Sequence, residues 1–388
     1  MRLHEFEAAR LFRGAGIPVP PFAVVQAANA LPEVVGQVGL PAVIKAQVLV
    51  GSRGKHGGVA FAETPEELDA KVRGLLGGSV RGLPVESVVI AKRVPIAREL
   101  YVGATIDPAV GAITMLLGTA GGVEVEATAK DRPEALFRHS VVPPGEFWGH
   151  QARALARQAG LRGELMVRVA EVLTALYRVF CRSDAMIAEI NPLVVTPDDA
   201  VWAVDAVLDV DDSALYRHPE LPADPIARLE HPLERAARKF GVSYVDLDGD
   251  IAIISSGAGL GMATMDVVGE RLRPANFLET GGGITEELMA KVTDLVLQKP
   301  GVRGLLINLY GGINPIHEGA KGIVRVLRER RVGIPVVAKA LGNRQEETWA
   351  TLAEAGVTMV TDITTEAAVD ALCAALEAKG TENVKRKT

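Results

Sequence analysis

The sequence predicts an α/β protein of at least two domains, the second of them a doubly wound parallel sheet. Three observations lead there. The chain has 388 residues, which is long for one hydrophobic core and suggests two or three domains. Its character changes near residue 230, after a polar, proline-rich stretch, "SALYRHPELPADPIARLEHPLE" (213–234), of the kind that links domains. Beyond that point short apolar runs alternate with helix-length segments, the signature of parallel strands covered on both faces.

In chain order, "MRLHEFEAARLFRGAGIPVPP" reads as an amphipathic helix stopped by glycine and proline. Strand-like runs such as "PAVIKAQVLV" and "VVIAKRV" follow, separated by glycine-rich loops and helices of mixed polarity. The second half holds the runs "IAIISSGAGLG", "PANFLET", "RGLLINLYGG", "IPVVAKALGN" and "VTMVTD". Helices are predicted over 260–273, 285–298, 315–331, 344–355 and 364–378. The natural reading is a domain of about 150 residues whose ligands sit at the carboxyl ends of its strands, where the glycines cluster.

Composition narrows the function classes. Apolar content of 48% with 23% charged residues is that of a soluble globular protein. A net charge of −6 argues against a broad nucleic-acid binder. Two cysteines, Cys181 and Cys373, make no disulfide framework and are expected to be buried small hydrophobes in a reducing cytosol. No signal-peptide core, membrane-length apolar run, heptad or short repeat is visible, so a cytoplasmic protein is expected.

Four stretches of the first half could carry chemistry. In "KAQVLVGSRGKHGGVAFAE" (45–63) two strand-like runs flank a basic, glycine-rich tip. The spacing is not that of a P-loop, but backbone N–H groups and basic side chains there could close over a polyphosphate. Lys45 is a cation inside an apolar strand, either anion-bound or snorkelling from an edge strand. Glu99 opens "IARELYVGATID" and reads equally as a solvated strand end. In "AEINPLVV" (188–195), Glu189 and Asn191 share one face of a strand and Ile190 the other; a strand end at Pro192 with turn-satisfied polar atoms is the plainer account. Asp205 sits among apolar neighbours in "AVWAVDAVLDV", and "TPDDA" between this run and Asn191 is a hairpin-sized turn. Asn191 and Asp205 could therefore meet and present oxygen ligands to magnesium, which takes few protein carboxylates.

In the second half, "SSGAGLG" carries G-x-G-x-G, not the dinucleotide fingerprint. "LETGGGITEEL" (278–288) offers more. Its three glycines precede a helix with an acidic first turn, an anion site at a positive helix terminus or a flexible loop. Their backbone entropy cost favours the anion site. "NLYGGINP" (308–315) repeats the theme and could line the same crevice. No metal-spaced His/Cys cluster or serine-hydrolase elbow accompanies these sites, and the seven histidines are scattered. A nucleotide site without a nucleophile suggests that a second chain completes the active site.

Taken together, "LHEFEAARLF", "KAQVLVGSRGKHGGV", "IARELYVGA", "AEINPLVV", "LDGDIAI", "GAGLGMATMD", "PANFLETGGGIT" and "NLYGGI" resemble the beta subunits of succinate–CoA ligase over essentially the whole chain. The resemblance implies an ATP-grasp domain over 1–230 and a flavodoxin-like CoA-ligase domain over 231–388. It implies that succinyl-CoA, nucleoside diphosphate and phosphate are exchanged for succinate, CoA and triphosphate. That exchange would run through a phosphohistidine on an alpha subunit, in an αβ or α2β2 assembly, with CoA held mainly by that partner.

Carried over by position, Lys45, Ser52, Arg53, Gly54, Ala91, Val94 and Glu99 would contact ATP/ADP or GTP/GDP. Asn191 and Asp205 would hold Mg2+, and Glu189 would orient the incoming histidine. Gly281, Gly282 and Gly283 would receive the phosphohistidine, and Ser256, Gly312, Ile313 and Asn314 would line the acid pocket. This chain departs from the family pattern at Ser52, Ala91, Val207, Ser256 and Asn314-Pro315. Changed acid-pocket positions beside retained metal positions suit a paralogue for another acid such as malate. A non-catalytic nucleotide sensor or a dehydrogenase are the competing readings, the latter lacking a proper fingerprint.

Overall fold

The computed structural model describes residues 1–28, 31–49, 53–122, 130–222, 224–229 and 231–385, with side chains described as far as 380. The chain forms two compact units, Met1–Arg228 and Leu229–Thr388. No helix among the described residues is long and apolar enough to cross a membrane.

The first unit contains two antiparallel sheets. The first comprises β1 (Phe22–Val25), β2 (Ala42–Ala46), β3 (Val59–Ala62) and, after a two-stranded ribbon of β4 (Ser79–Val80) and β5 (Leu83–Pro84), β6 (Val88–Lys92). Its order is β1-β6-β2-β3. Strict alternation in β2 turns Ala42, Ile44 and Ala46 into a core with Val34 and Val38 of helix Leu31–Val38 and Leu68 and Val72 of helix Pro65–Leu75. Val43 and Lys45 are left on the opposite face. The latter helix starts where the sequence provides Thr64 as a cap, accepting from Glu67 N at 3.3 Å, with Pro65 directly inside.

The second sheet adds β7 (Arg98–Asp107), β8 (Ala112–Gly118), β9 (Leu136–Val141), β10 (Ala185–Val195), β11 (Val201–Ala203) and β12 (Val207–Val210). It runs β11-β10-β7-β8-β9, with β12 also on β10. Helices Glu5–Gly14, Gly149–Gln158 and Gly163–Arg182 bury one face, with Phe12, Leu155 and Leu173 against Val102, Met115 and Ile190. The other face of β10 carries Glu189 and Asn191. The expected N-terminal helix is present, and its Glu7 side chain accepts from the backbone N of His4 at 2.8 Å to close its first turn.

In the second unit β13 (Ser243–Asp246), β14 (Ile251–Ser255), β15 (Asn276–Glu279), β16 (Gly304–Gly311), β17 (Val336–Gly342) and β18 (Thr358–Val360) form one sheet ordered β13-β15-β14-β16-β17-β18. The five strands β14 to β18 are parallel, and in chain order they lie second, first, third, fourth, fifth. That is the flavodoxin-like order, with its switch point at β14. Helices Ala258–Gly269 and Thr365–Lys385 cover Ile251, Ile253, Leu306 and Val337; helices Glu286–Val296 and Ile316–Glu329 cover Ile254, Ile307 and Ala338. Burial on both faces explains why these strands read as continuous apolar runs.

Two expectations need correction. The sheet is not wholly parallel, because β13 joins β15 antiparallel at the edge. Its four residues alternate between buried Tyr244 and exposed Val245, the pattern of a half-solvated edge strand. The cysteines are not buried: Cys181 is exposed at the end of its helix and Cys373 is half-buried.

Candidate functional site

A cleft of about 840 Å³ lies in the first unit, lined by Lys45, Arg53, Gly54, Ala91, Val94, Glu189, Asn191 and Asp205 among others. The open faces of the two sheets supply its walls. Val43, Val59, Phe61, Val89 and Ala91 make one side apolar. The described residues lining it include no histidine or cysteine.

Lys45 does not snorkel from an edge. It lies on inner strand β2, opposite Val59 on one side and Val89 on the other. Its ammonium donates to Glu5 Oε1 at 2.7 Å and to the carbonyl of Val204. Arg53 opens the short 3-10 turn Arg53–His56 between β2 and β3. Its Nη2 lies 2.8 Å from Glu5 Oε2 and 2.9 Å from Asp205 Oδ1, and its Nη1 donates to Ala46 O at 3.2 Å. Burial works against the charged guanidinium, but Glu5 and Asp205 together overcome it and hold its pKa above the ordinary arginine value. The result is a chain of two cations and two carboxylates, Lys45–Glu5–Arg53–Asp205, across the floor of the cleft.

The hairpin expectation is met in detail. Leu193 pairs with Ala203 and Glu189 with Val207, so the register sets Asn191 across from Asp205. The strand does not end at Pro192. It continues to Val195, and the ladder to β7 slips between Ile190 and Leu193, where Pro192 has no N–H to donate. Ile190 is fully buried while Glu189 and Asn191 are half-buried on the cleft side. Asn191 Oδ1 accepts from Gly122 N at 2.8 Å. Glu99 is not part of the lining, but it meets the rim: a Cβ on Gly122 would fall 2.6 Å from Glu99 Oε2. Only glycine leaves that approach open. Ser52 lies outside the described residues.

In the second unit the other predicted residues gather at the carboxyl edge of the parallel strands. The Ser256 hydroxyl accepts from Tyr310 N at 2.7 Å and donates to Tyr310 O at 3.1 Å, fastening the exit of β14 to that of β16. Gly281, Gly282 and Gly283 precede helix Glu286–Val296; Thr285 is its cap, accepting from Leu288 N at 3.2 Å, rather than a member of its first turn. A Cβ on Gly282 would lie 3.7 Å from Asn314 Nδ2, so the two glycine loops do adjoin. Gly312 has open space around it, and Ile313 is 94% exposed.

Sequence reasoning missed Glu5. An acidic residue in a first helical turn is an ordinary dipole partner, and only tertiary contact reveals this one as 9% exposed between two cations.

Residues 2–195 match the ATP-grasp domain family and residues 254–372 the CoA-ligase family. The chain is 43% identical over 349 residues to the GDP-forming succinate–CoA ligase beta subunit of Thermus thermophilus, covering 89% of this chain and 92% of that one. It is 42% identical over 361 residues to the ADP-forming beta subunit of Chloroflexus aurantiacus, covering 91% and 94%. ATP citrate lyase of Methanothrix soehngenii shares the fold, with a TM-score of 0.60 at 19% identity over 92% of this chain and 95% of that one. An ATP-grasp domain followed by a CoA-ligase domain, at this identity across nine-tenths of the chain, means that the protein belongs to the succinate–CoA ligase beta-subunit family and is a ligase.

Proposed function

We propose that the chain is the nucleotide-binding subunit of an acid–CoA ligase that exchanges acyl-CoA, nucleoside diphosphate and phosphate for free acid, CoA and nucleoside triphosphate. Its partner would be an alpha subunit carrying a phosphorylatable histidine and most of the CoA site, working in the cytoplasm. The observation that carries this is the meeting of Lys45, Arg53, Asn191 and Asp205 in one cleft.

The donor set suits magnesium. An amide oxygen and a carboxylate opposite one another give a hard cation two protein ligands and leave the rest of its shell to water and phosphate. Mg2+ bound there would neutralise phosphate charge. Lys45 and Arg53 would bind the phosphates as cations, with the apolar wall beside them for the base. Glu189 would hold the ring N–H of the partner's histidine, fixing its tautomer so that the opposite nitrogen faces the phosphate. In the second unit, Gly281–283 just before an eleven-residue helix support a phosphohistidine site, with the Gly281 N–H already donating to Glu279 Oε2 at 2.8 Å. Ser256 and residues 312–314 would line the acid pocket. Relatives of both GDP-forming and ADP-forming kinds leave either base open.

The test combines the chain with its alpha partner and γ-labelled ATP or GTP. Label should appear on a partner histidine in a Mg2+-dependent reaction and leave on addition of acid and CoA. Thioester synthesis by this chain alone, or label that never reaches the partner, would refute the proposal.

A further inference from the structure

Five connections leave the carboxyl edge of the parallel sheet: residues 256–257, 280–285, 312–315, 343–344 and 361–364. Among them Arg344 is the one cation. A ligand bearing a second carboxylate at this edge has no other side-chain positive charge in these loops to meet.

Arg344 is also held against local preference. Its backbone lies in the left-handed region at φ 54°, ψ 38°, and it starts helix Gln345–Ala353 without a capping side-chain bond. A non-glycine residue there is disfavoured because its Cβ crowds the backbone carbonyl, and arginine is not a preferred cap. Such strain persists where surrounding contacts impose it. Here Nη1 lies 2.8 Å from His317 Nε2 and Nη2 pairs with Glu347. The guanidinium only donates, so in that contact His317 Nε2 is the acceptor. Glu318 Oε1 lies 3.2 Å from the same Nε2, and the contact with the guanidinium is the shorter of the two. His317 is 5% exposed, and its Nδ1 is buried without a hydrogen-bond partner. The imidazole is thus a backstop that aims the guanidinium, whose side chain remains 55% exposed with donors to spare.

The pair stands beside the proposed acid loop. Asn343 N donates to Gly311 O at 2.7 Å, and a Cβ on Gly342 would fall 2.2 Å from that same oxygen. The exits of β16 and β17 therefore touch, with Arg344 two residues beyond Gly342 and His317 three beyond Asn314. We propose that Arg344, positioned by His317, determines specificity by binding the non-reacting carboxylate of a dicarboxylic acid. The assignment rests on the acid pocket proposed above at Ser256 and residues 312–314.

The test uses the complex of this chain with its alpha partner, measuring kcat and KM for succinate and the inhibition constant of butyrate, a monocarboxylate of equal length. Loss of a charge-assisted bond corresponds to about a ten- to hundredfold change. Arg344→Ala should raise the succinate KM by that factor, leave butyrate inhibition within about twofold, and change kcat little. Arg344→Lys should recover part of the loss, and retained butyrate binding shows that the second unit is folded. Equal weakening of both acids, or of neither, overturns the proposal while the ligase reaction stands. A wild-type complex that forms no thioester from any acid overturns the reaction and this assignment together.

Discussion

Replacing Glu5 by alanine strands two cations at once, and the structure sets the size of the effect. Glu5 is 9% exposed, and the side chains of Lys45 and Arg53, at 2.7 and 2.8 Å from it, are each 12% exposed. Removing one member of a buried ion pair costs about 3–5 kcal/mol, because the partner is left charged and unpaired. Here Arg53 keeps Asp205 and Lys45 keeps the Val204 carbonyl, and both border a cleft that water enters. About 1–3 kcal/mol is then expected for Glu5→Ala. In a unit of this size each kcal/mol moves Tm by about 2–4 °C, so the first unit should melt about 2–12 °C lower. Calorimetry of the full chain measures this, the transition being recognised in the wild type as the one that Mg–ATP raises. The double variant Glu5→Ala with Lys45→Met removes a stranded cation as well and should recover about half of the loss. A single variant within about 1 °C of wild type, or a double variant whose losses simply add, would show that the ionic chain does not stabilise the cleft.

Three further outcomes follow from the same geometry. Asp205→Ala should weaken Mg2+-dependent nucleotide binding by about tenfold or more while leaving the circular dichroism spectrum unchanged; calorimetric titration with and without Mg2+ decides, and unchanged metal dependence removes Asp205 from the site. Glu189→Gln keeps shape but not charge, so nucleotide affinity should stay near normal while phosphorylation of the partner histidine slows strongly and its discharge by acid and CoA is spared; slow discharge with normal labelling would contradict the role given to Glu189. His218 sits between Asp184 at 2.7 Å and Glu220 at 3.2 Å, and the Asp184 bond raises its pKa in the folded protein. A raised folded pKa stabilises fully below the ordinary histidine value and is lost as pH climbs through the folded one. Denaturant midpoints of the first unit should therefore fall over that range, and His218→Gln should flatten the slope; a variant with the wild-type slope would rule out this contribution.

The second unit was legible almost strand by strand because both its faces are buried, so each strand declares itself as a continuous apolar run. Its one surprise, β13, is a four-residue edge strand too short and too half-exposed to stand out. The first unit was legible only in fragments. Its two sheets each solvate one face, so strands such as β2 and β10 mix polar and apolar residues, and nothing local says which strands share a sheet. What the mixture did reveal was direction: Lys45, Glu189 and Asn191 interrupt apolar runs, and the structure turns all three into the same cleft. A polar atom in a strand is costly to bury alone, so its presence signals a partner without naming it.

The partners themselves are what a linear reading leaves out. Glu5 meets Lys45 across forty residues of sequence, and Asp205 meets Arg53 across 152. His317 meets Arg344 across 27 residues, from the next helix over, with a connection that the glycine pair at 311 and 342 allows to close. Glu5 and Arg344 look ordinary where they stand, an acid in a first helical turn and a base before a helix. Each becomes informative through an incongruity that only the folded chain exposes, burial for Glu5 and left-handed backbone for Arg344. Such local conflicts persist where tertiary contacts outweigh them. In this chain they stand at the two ends of the proposed chemistry: Glu5 between the two cations of the nucleotide cleft, Arg344 beside the loop that would hold the acid.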